Sequence, residues 1–228
     1  MATTAISDDQ AKKLGKEFSR QHPSMVLAMA KASVRDLEPG FAITSARVKA
    51  VRNMGCEIMV TSCRGDMCHM NSGFFKFPTG PLNDDEDFYR RIPQLRKHVC
   101  GPDPLWLIKK PVAFLILVTC IALAYGTIVL GIEGMEELFA QAPRLESGIS
   151  SIFGSTKIFG YFVMGSFWFS IVAHGIEGSM GFYYSQKTLQ LDSTTSGLWG
   201  FLIFLVGYPI FNELQPLLAV HDERLKSH

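Results

Sequence analysis

The sequence predicts an α+β soluble domain, with helices around a small antiparallel sheet, followed by an all-α membrane domain of three transmembrane helices. Three observations predict it. Charged residues are spread through the first 105 positions, three runs of β character lie among them between turn residues, and long apolar runs take over from Pro111. The expected limits are 1–105 for the soluble domain, 106–220 for the membrane domain and 221–228 for a short polar tail. The chain of 228 residues is 47% hydrophobic with a formal charge of +1. That is too apolar for disorder, and it lacks the basic excess of a nucleic-acid binder.

Ser7 and Gln10 form a capping box that starts a helix to about Ser19. "HPSMVLAMAKAS" restarts one with Pro23 in its first turn, and Pro39-Gly40 stops it. "FAITSARVKAV", "CEIMVTSCR" and "DMCHMNSGFFKF" read as strands separated by Asn53-Met54-Gly55 and Gly65-Asp66. Asn83 caps a last helix. Its acidic first turn (Asp84 to Asp87) and basic end (Arg96, Lys97, His98) suit the helix dipole. Pro93 is expected to kink or divide it.

Five cysteines, Cys56, Cys63, Cys68, Cys100 and Cys120, do not read as a disulfide framework and point to a reducing compartment. Cys63 with Cys68-His69 has the wrong spacing for a paired zinc site, so these cysteines are read as structural. No apolar signal core opens the chain. A removed presequence or the membrane segments themselves would direct it to an organelle.

Residues 111–132 carry no charge and are long enough to cross a ~30 Å hydrocarbon core. Residues 158–184 make a second candidate span. Residues 197–220 make a third, bent at Pro209. Arg90, Arg91, Arg96, Lys97, Lys109 and Lys110 precede the first span, whereas the loop 133–157 is acidic. The soluble domain is therefore expected on the matrix or cytosolic side of a mitochondrial inner membrane or endoplasmic reticulum. With three spans, the C-terminal tail falls on the opposite side. Trp106, Tyr183, Tyr184 and Trp199 are candidates for headgroup contact, and Trp168 for packing between helices.

Two resemblances accompany this reading. "VKAVRNMGCEIMV" and "GFFKFPTGPLNDDEDFYRRI", within residues 7–100, resemble the haem-utilisation-associated domain of unknown function 2470. The resemblance implies the helix, helix, three-strand, helix order and a haem-related role; of that family's first-helix signature, His22 alone is matched. His174, Glu177, Trp199 and Gly207, within residues 155–215, resemble the transmembrane protein 254 family (domain of unknown function 4499). That implies three spans and no assigned chemistry.

Inside the second span Ser170, His174, Glu177, Gly178 and Gly181 share one helical face. Ionisable groups in a span mark a site or a helix contact. No charged residue of the other spans is expected at the level of Glu177, with Glu213 toward the other leaflet. Glu177 is then neutral, paired with His174, or met by another molecule. No nucleophile, phosphate-loop or metal motif accompanies them.

The expected function is that of a non-enzymatic accessory or scaffold subunit of a larger organellar membrane complex, docking through this polar small-residue face. The alternative, carried by resemblance, is haem or tetrapyrrole handling. No resident cofactor and no metal is expected. Bound phospholipid fits the basic collar of Arg96, Lys97, Lys109 and Lys110. The expected partners are membrane lipids and other membrane-protein subunits, or further copies of this chain, and not nucleic acid.

Overall fold

The computed structural model describes residues 6–34 and 39–226. Its contacts divide the chain into two compact units. The first takes the chain up to Gly101, then Tyr184–Thr195, then everything from Leu214. The second takes Pro102–Tyr183 and Ser196–Glu213. The fold is mixed α+β, with a three-stranded antiparallel sheet in the order β1-β2-β3 and helices making up most of the rest.

In the first unit, α1 (Asp8–Gln21) starts at the capping box of Ser7 and Gln10. It buries Ala11, Leu14, Gly15 and Phe18, the spacing of one helical face. Helix α2 (Pro23–Ser33) is buried from Ser24 to Ala30. It ends before Pro39-Gly40, and residues 35–38 lie outside the described residues. Strands β1 (Ala42–Arg52), β2 (Gly55–Arg64) and β3 (Met67–Lys76) form a meander that pairs Val48 with Ile58 and Cys56 with Phe75. Their inner face, including Val48, Ile58, Val60 and Phe75, is buried, and α1 and α2 pack on the sheet. The outer face of β3 is bare: Met70 is 75% exposed.

Helix α3 (Asp85–Cys100) is capped by Asp84, whose carboxylate accepts the Asp87 N–H at 2.7 Å. The expected cap, Asn83, instead donates its own N–H to Asp87 at 3.0 Å. Pro93 sits inside one continuous helix rather than dividing it. Burial pushes the Cys100 thiol up to about 12 and the Cys56 thiol higher still, so both stay protonated and inert.

Cys63 and Cys68 are joined as a disulfide across the β2–β3 hairpin. The sequence reading of these two as structural cysteines did not include this bond; Cys56, Cys100 and Cys120 remain thiols. The two-residue turn at Gly65-Asp66 sets an antiparallel register that puts residues 63 and 68 directly opposite, with their Cα atoms 4.2 Å apart.

Arg91 ties α3 to the turn before it. It pairs with Asp87, at 2.5 and 3.0 Å, and donates to the carbonyls of Thr79, Gly80 and Pro81. The Arg91 guanidinium, then the Asn83 N–H, hold the Asp87 carboxyl below its usual range. A carboxylate whose folded pKa is lowered adds stability above its unfolded pKa of about 3.9, and the gain is lost as pH falls below that. Arg91→Ala is expected to cost about 2 kcal/mol at neutral pH and to flatten the acid side of the stability profile. Thermal unfolding from pH 7 down to pH 3 would check both.

The second unit contains α4 (Trp106–Lys109), α5 (Pro111–Ala124), a π-helical segment (Tyr125–Leu130), α6 (Gly131–Ala140) and α7 (Pro143–Phe153). It also holds most of α8 (Thr156–Lys187) and α9 (Ser193–Val206), and the start of α10 (Tyr208–Lys226). The segment 133–157, expected as a loop, is largely helical.

Among the described residues, two helices are long and apolar enough to cross a membrane: Pro111–Ala140 and Thr156–Lys187. The expected third span fails. Residues 197–220 are not one helix, because Gly207 takes φ +66° and ends α9. At 1.5 Å per residue, 14 helical residues reach about 21 Å, short of a ~30 Å core. Hydropathy alone runs across this break.

Two further expectations change. Trp199 is fully buried against Trp106, with ring centroids 5.6 Å apart, whereas Trp168 is 57% exposed. Glu213 forms an ion pair with Lys110, at the start of α5, and so lies at that end of the helix rather than the opposite one. From α10, Leu214 and Leu217 are buried in the first unit, where Ser24 donates its hydroxyl proton to the Leu217 carbonyl at 2.6 Å. Helix α10 continues to Lys226 through most of the expected tail, and residues 227–228 lie outside the described residues.

Candidate functional site

The five residues of the α8 face lie together in the second unit, and they face this same chain. Gly178 and Gly200 bring α8 and α9 into backbone contact. A Cβ on Gly178 would stand 2.7 Å from the Gly200 carbonyl oxygen, and one on Gly200 would stand 2.9 Å from the Gly178 oxygen. A Cβ on Gly181 would collide with the Ile203 side chain. Small residues permit this approach, which brings the next turns of α8 to the end of α9.

At that end Gly207 reverses the backbone. Its N–H still closes on the Ile203 carbonyl, at 2.5 Å. In an unbroken helix the Phe204 carbonyl would accept from residue 208. Here His174 Nδ1 lies 3.2 Å from that oxygen. A carbonyl only accepts, so the bond puts the imidazole proton on Nδ1 and turns Nε2 toward Gly207.

Glu177 reaches the same glycine. A Cβ at Gly207 would meet Glu177 Oε2 at 2.7 Å and His174 Nε2 at 2.9 Å. The imidazole and carboxylate therefore flank one bare backbone position, where α9 ends and α10 begins. Glu177 Oε2 is enclosed and has no hydrogen-bond partner among the described residues. It stands by the start of α10, whose first N–H groups give that end a partial positive charge.

No protein family matches this sequence, and no curated protein or solved structure proved similar to it.

Ser170 lies apart from the break, on the wall of a cavity of about 190 Å³. Cys120 and Ile121 of α5, Phe167 and His174 of α8, and Phe204 of α9 complete most of its lining. The lining is almost wholly apolar. Among the described residues no group of three or more His, Cys, Asp or Glu is placed to hold a metal ion.

The four residues of the basic collar are divided between the two units, Arg96 and Lys97 in the first and Lys109 and Lys110 in the second. Lys110 pairs with Glu213, Lys109 lies 3.8 Å from Asp103, and Lys97 lies 3.8 Å from Asp192. Among the described residues Arg96 meets no carboxylate in this way: it donates to Gln190. Sequence reasoning missed Gly207 as the centre of the site. The signal was present, since Gly207-Tyr208-Pro209 after an apolar run is a helix-stop pattern.

Proposed function

We propose that the chain is a non-enzymatic integral membrane protein, an accessory or scaffold subunit of a larger organellar membrane assembly. In this reading α5–α6 and α8 cross the bilayer, and α9 with the start of α10 forms a re-entrant helical hairpin. His174 and Glu177 hold the turn of that hairpin, where a broken helix would otherwise leave backbone groups bare in lipid.

The observation that carries the reading is the apolar surface of the two long helices. Leu115, Ile121 and Ile128 on the first, and Phe169, Val172 and Ile176 on the second, are each well exposed. Water would oppose that exposure, and lipid does not.

The assembly role rests on a groove between α8 and α9. Gly175, Ser179, Gly197 and Phe201 line it, and a Cβ on Gly175 or Gly197 would meet nothing within 4 Å. An open strip of small residues on a membrane helix fits a partner helix. In a mild detergent the protein is expected to migrate with a partner or a further copy of itself. Gly175→Leu and Gly197→Leu are expected to release it as a folded monomer. A wild-type chain already monomeric by light scattering would remove the assembly role.

Orientation follows from the basic residues before α5 and the acidic stretch after it, which favour the matrix or cytosolic side for the first unit. The Cys63–Cys68 bond argues the other way, because reducing compartments disfavour disulfides. The charge rule is the stronger here, since the bond closes an exposed hairpin tip open to reductants.

With two crossings and a re-entrant hairpin, both ends of the first unit share a side. Lys13→Cys and Ala219→Cys are therefore expected to react with a membrane-impermeant maleimide from one side, and Gly148→Cys from the other. Labelling of position 219 together with position 148 would restore three crossings.

A further inference from the structure

The half-buried Arg96 sets one small cavity of the first unit apart. It lies on α3, one turn before the buried Cys100, and its guanidinium faces a cavity of about 40 Å³. His22, Ser24, Thr188 and Gln190 line the same cavity. By the usual measure a water needs roughly 10–15 Å³, so the space suits about three waters, or a compact oxyanion.

Among the described residues, the guanidinium is met by Gln190 and His22. Nη1 donates to Gln190 Oε1 at 2.9 Å and to the Gln190 carbonyl at 3.3 Å, and Nη2 lies 3.4 Å from His22 Nδ1. Among the described residues, the acids of neighbouring elements have other partners. Asp192 accepts from Thr195 and faces Lys97, and Glu17 accepts from Gln21 and Tyr89. Gln190 is the one non-glycine residue with left-handed φ among the described residues, at +53°. That conformation is one a side chain rarely adopts, and it holds both Gln190 oxygens against Arg96 while Leu189 and Leu191 stay buried.

We propose that this cavity binds a phosphate oxyanion, with Arg96 as the charged donor and the Gln190 turn as its brace. A guanidinium matches phosphate oxygens in shape and charge, and desolvation strengthens the pairing. Burial also draws the Arg96 pKa down. The phosphate belongs to either a lipid headgroup or a free anion. The site does not depend on the membrane reading, because all of it lies in the first unit.

The test uses the full chain in uncharged maltoside micelles. Inorganic phosphate and dihexanoyl phosphatidic acid are titrated calorimetrically, with dihexanoylglycerol as the phosphate-free control. Saturable binding of both phosphate probes is expected for a free-anion site, and of phosphatidic acid alone for a headgroup site; either upholds the proposal. Arg96→Gln is expected to weaken binding roughly tenfold to a hundredfold, and Lys97→Gln to leave it unchanged. To keep the result independent of variant folding, the Nε–Hε signal of Arg96 in the wild-type chain, identified by its loss in Arg96→Lys, is followed as phosphate is added. The proposal is overturned if neither probe saturates, if dihexanoylglycerol binds as well as phosphatidic acid, if Arg96→Gln binds as tightly as wild type, or if the Arg96 signal does not move.

Discussion

Replacing Gly178 by alanine is expected to lower the stability of the second unit by about 2–3 kcal/mol, the range of overpacking at a close contact. The added carbon would lie 2.7 Å from the Gly200 oxygen and 3.1 Å from the Phe204 Cβ. The nearest obstacle is backbone, so no rotamer change relieves it. Alpha-helices α8 and α9 must move apart, and His174 then loses its reach to the Phe204 carbonyl. Gly165→Ala is the control. It lies on the same helix with nothing within 4 Å, so it should be neutral or gain up to about 1 kcal/mol from helix propensity. Thermal unfolding in detergent compares the two. Equal midpoints would mean that the helices do not touch at Gly178.

Gly207→Ala is expected to cost more than a left-handed glycine ordinarily would. The conformation alone costs an alanine about 1–2 kcal/mol. Here the methyl would also intrude on Glu177 Oε2 and His174 Nε2, at 2.7 and 2.9 Å. Displacing an enclosed carboxylate adds about 1–3 kcal/mol. Gly154, also left-handed at φ +85° and nearly free of neighbours, with Ile158 Cδ1 at 3.8 Å, supplies the comparison. Gly154→Ala should show the conformational cost alone. The double variant Gly207→Ala with Glu177→Ala should recover part of the difference, because the carboxylate that collides is gone. A Gly207→Ala cost no larger than that of Gly154→Ala would remove Glu177 and His174 from the helix break.

Local pattern was legible in the sequence where a local rule controls it. The capping box at Ser7 and the hairpin turns before Gly55 and after Arg64 formed as expected, since each depends on residues a few positions apart. The α8 face from Ser170 to Gly181 was also legible, because helical spacing groups it. What that face meets was not. The contact of Gly178 with Gly200 and the pairing of Lys110 with Glu213 depend on which segments pack together. Periodicity says nothing of that. The third apolar run misled for a related reason. Hydropathy averages over a window, whereas one left-handed glycine redirects the chain within a single residue.

The hydrogen bond from Ser24 to Leu217 joins residues 193 positions apart. A nascent polypeptide therefore cannot complete its first compact unit as that part leaves the ribosome. Most of the molecule must be synthesised, and the hairpin around Gly207 closed, before the last leucines arrive to seal α2. A premature stop codon anywhere after Gly101 would then harm the amino-terminal portion as well as the missing one, and expressing that portion alone should yield an aggregating fragment.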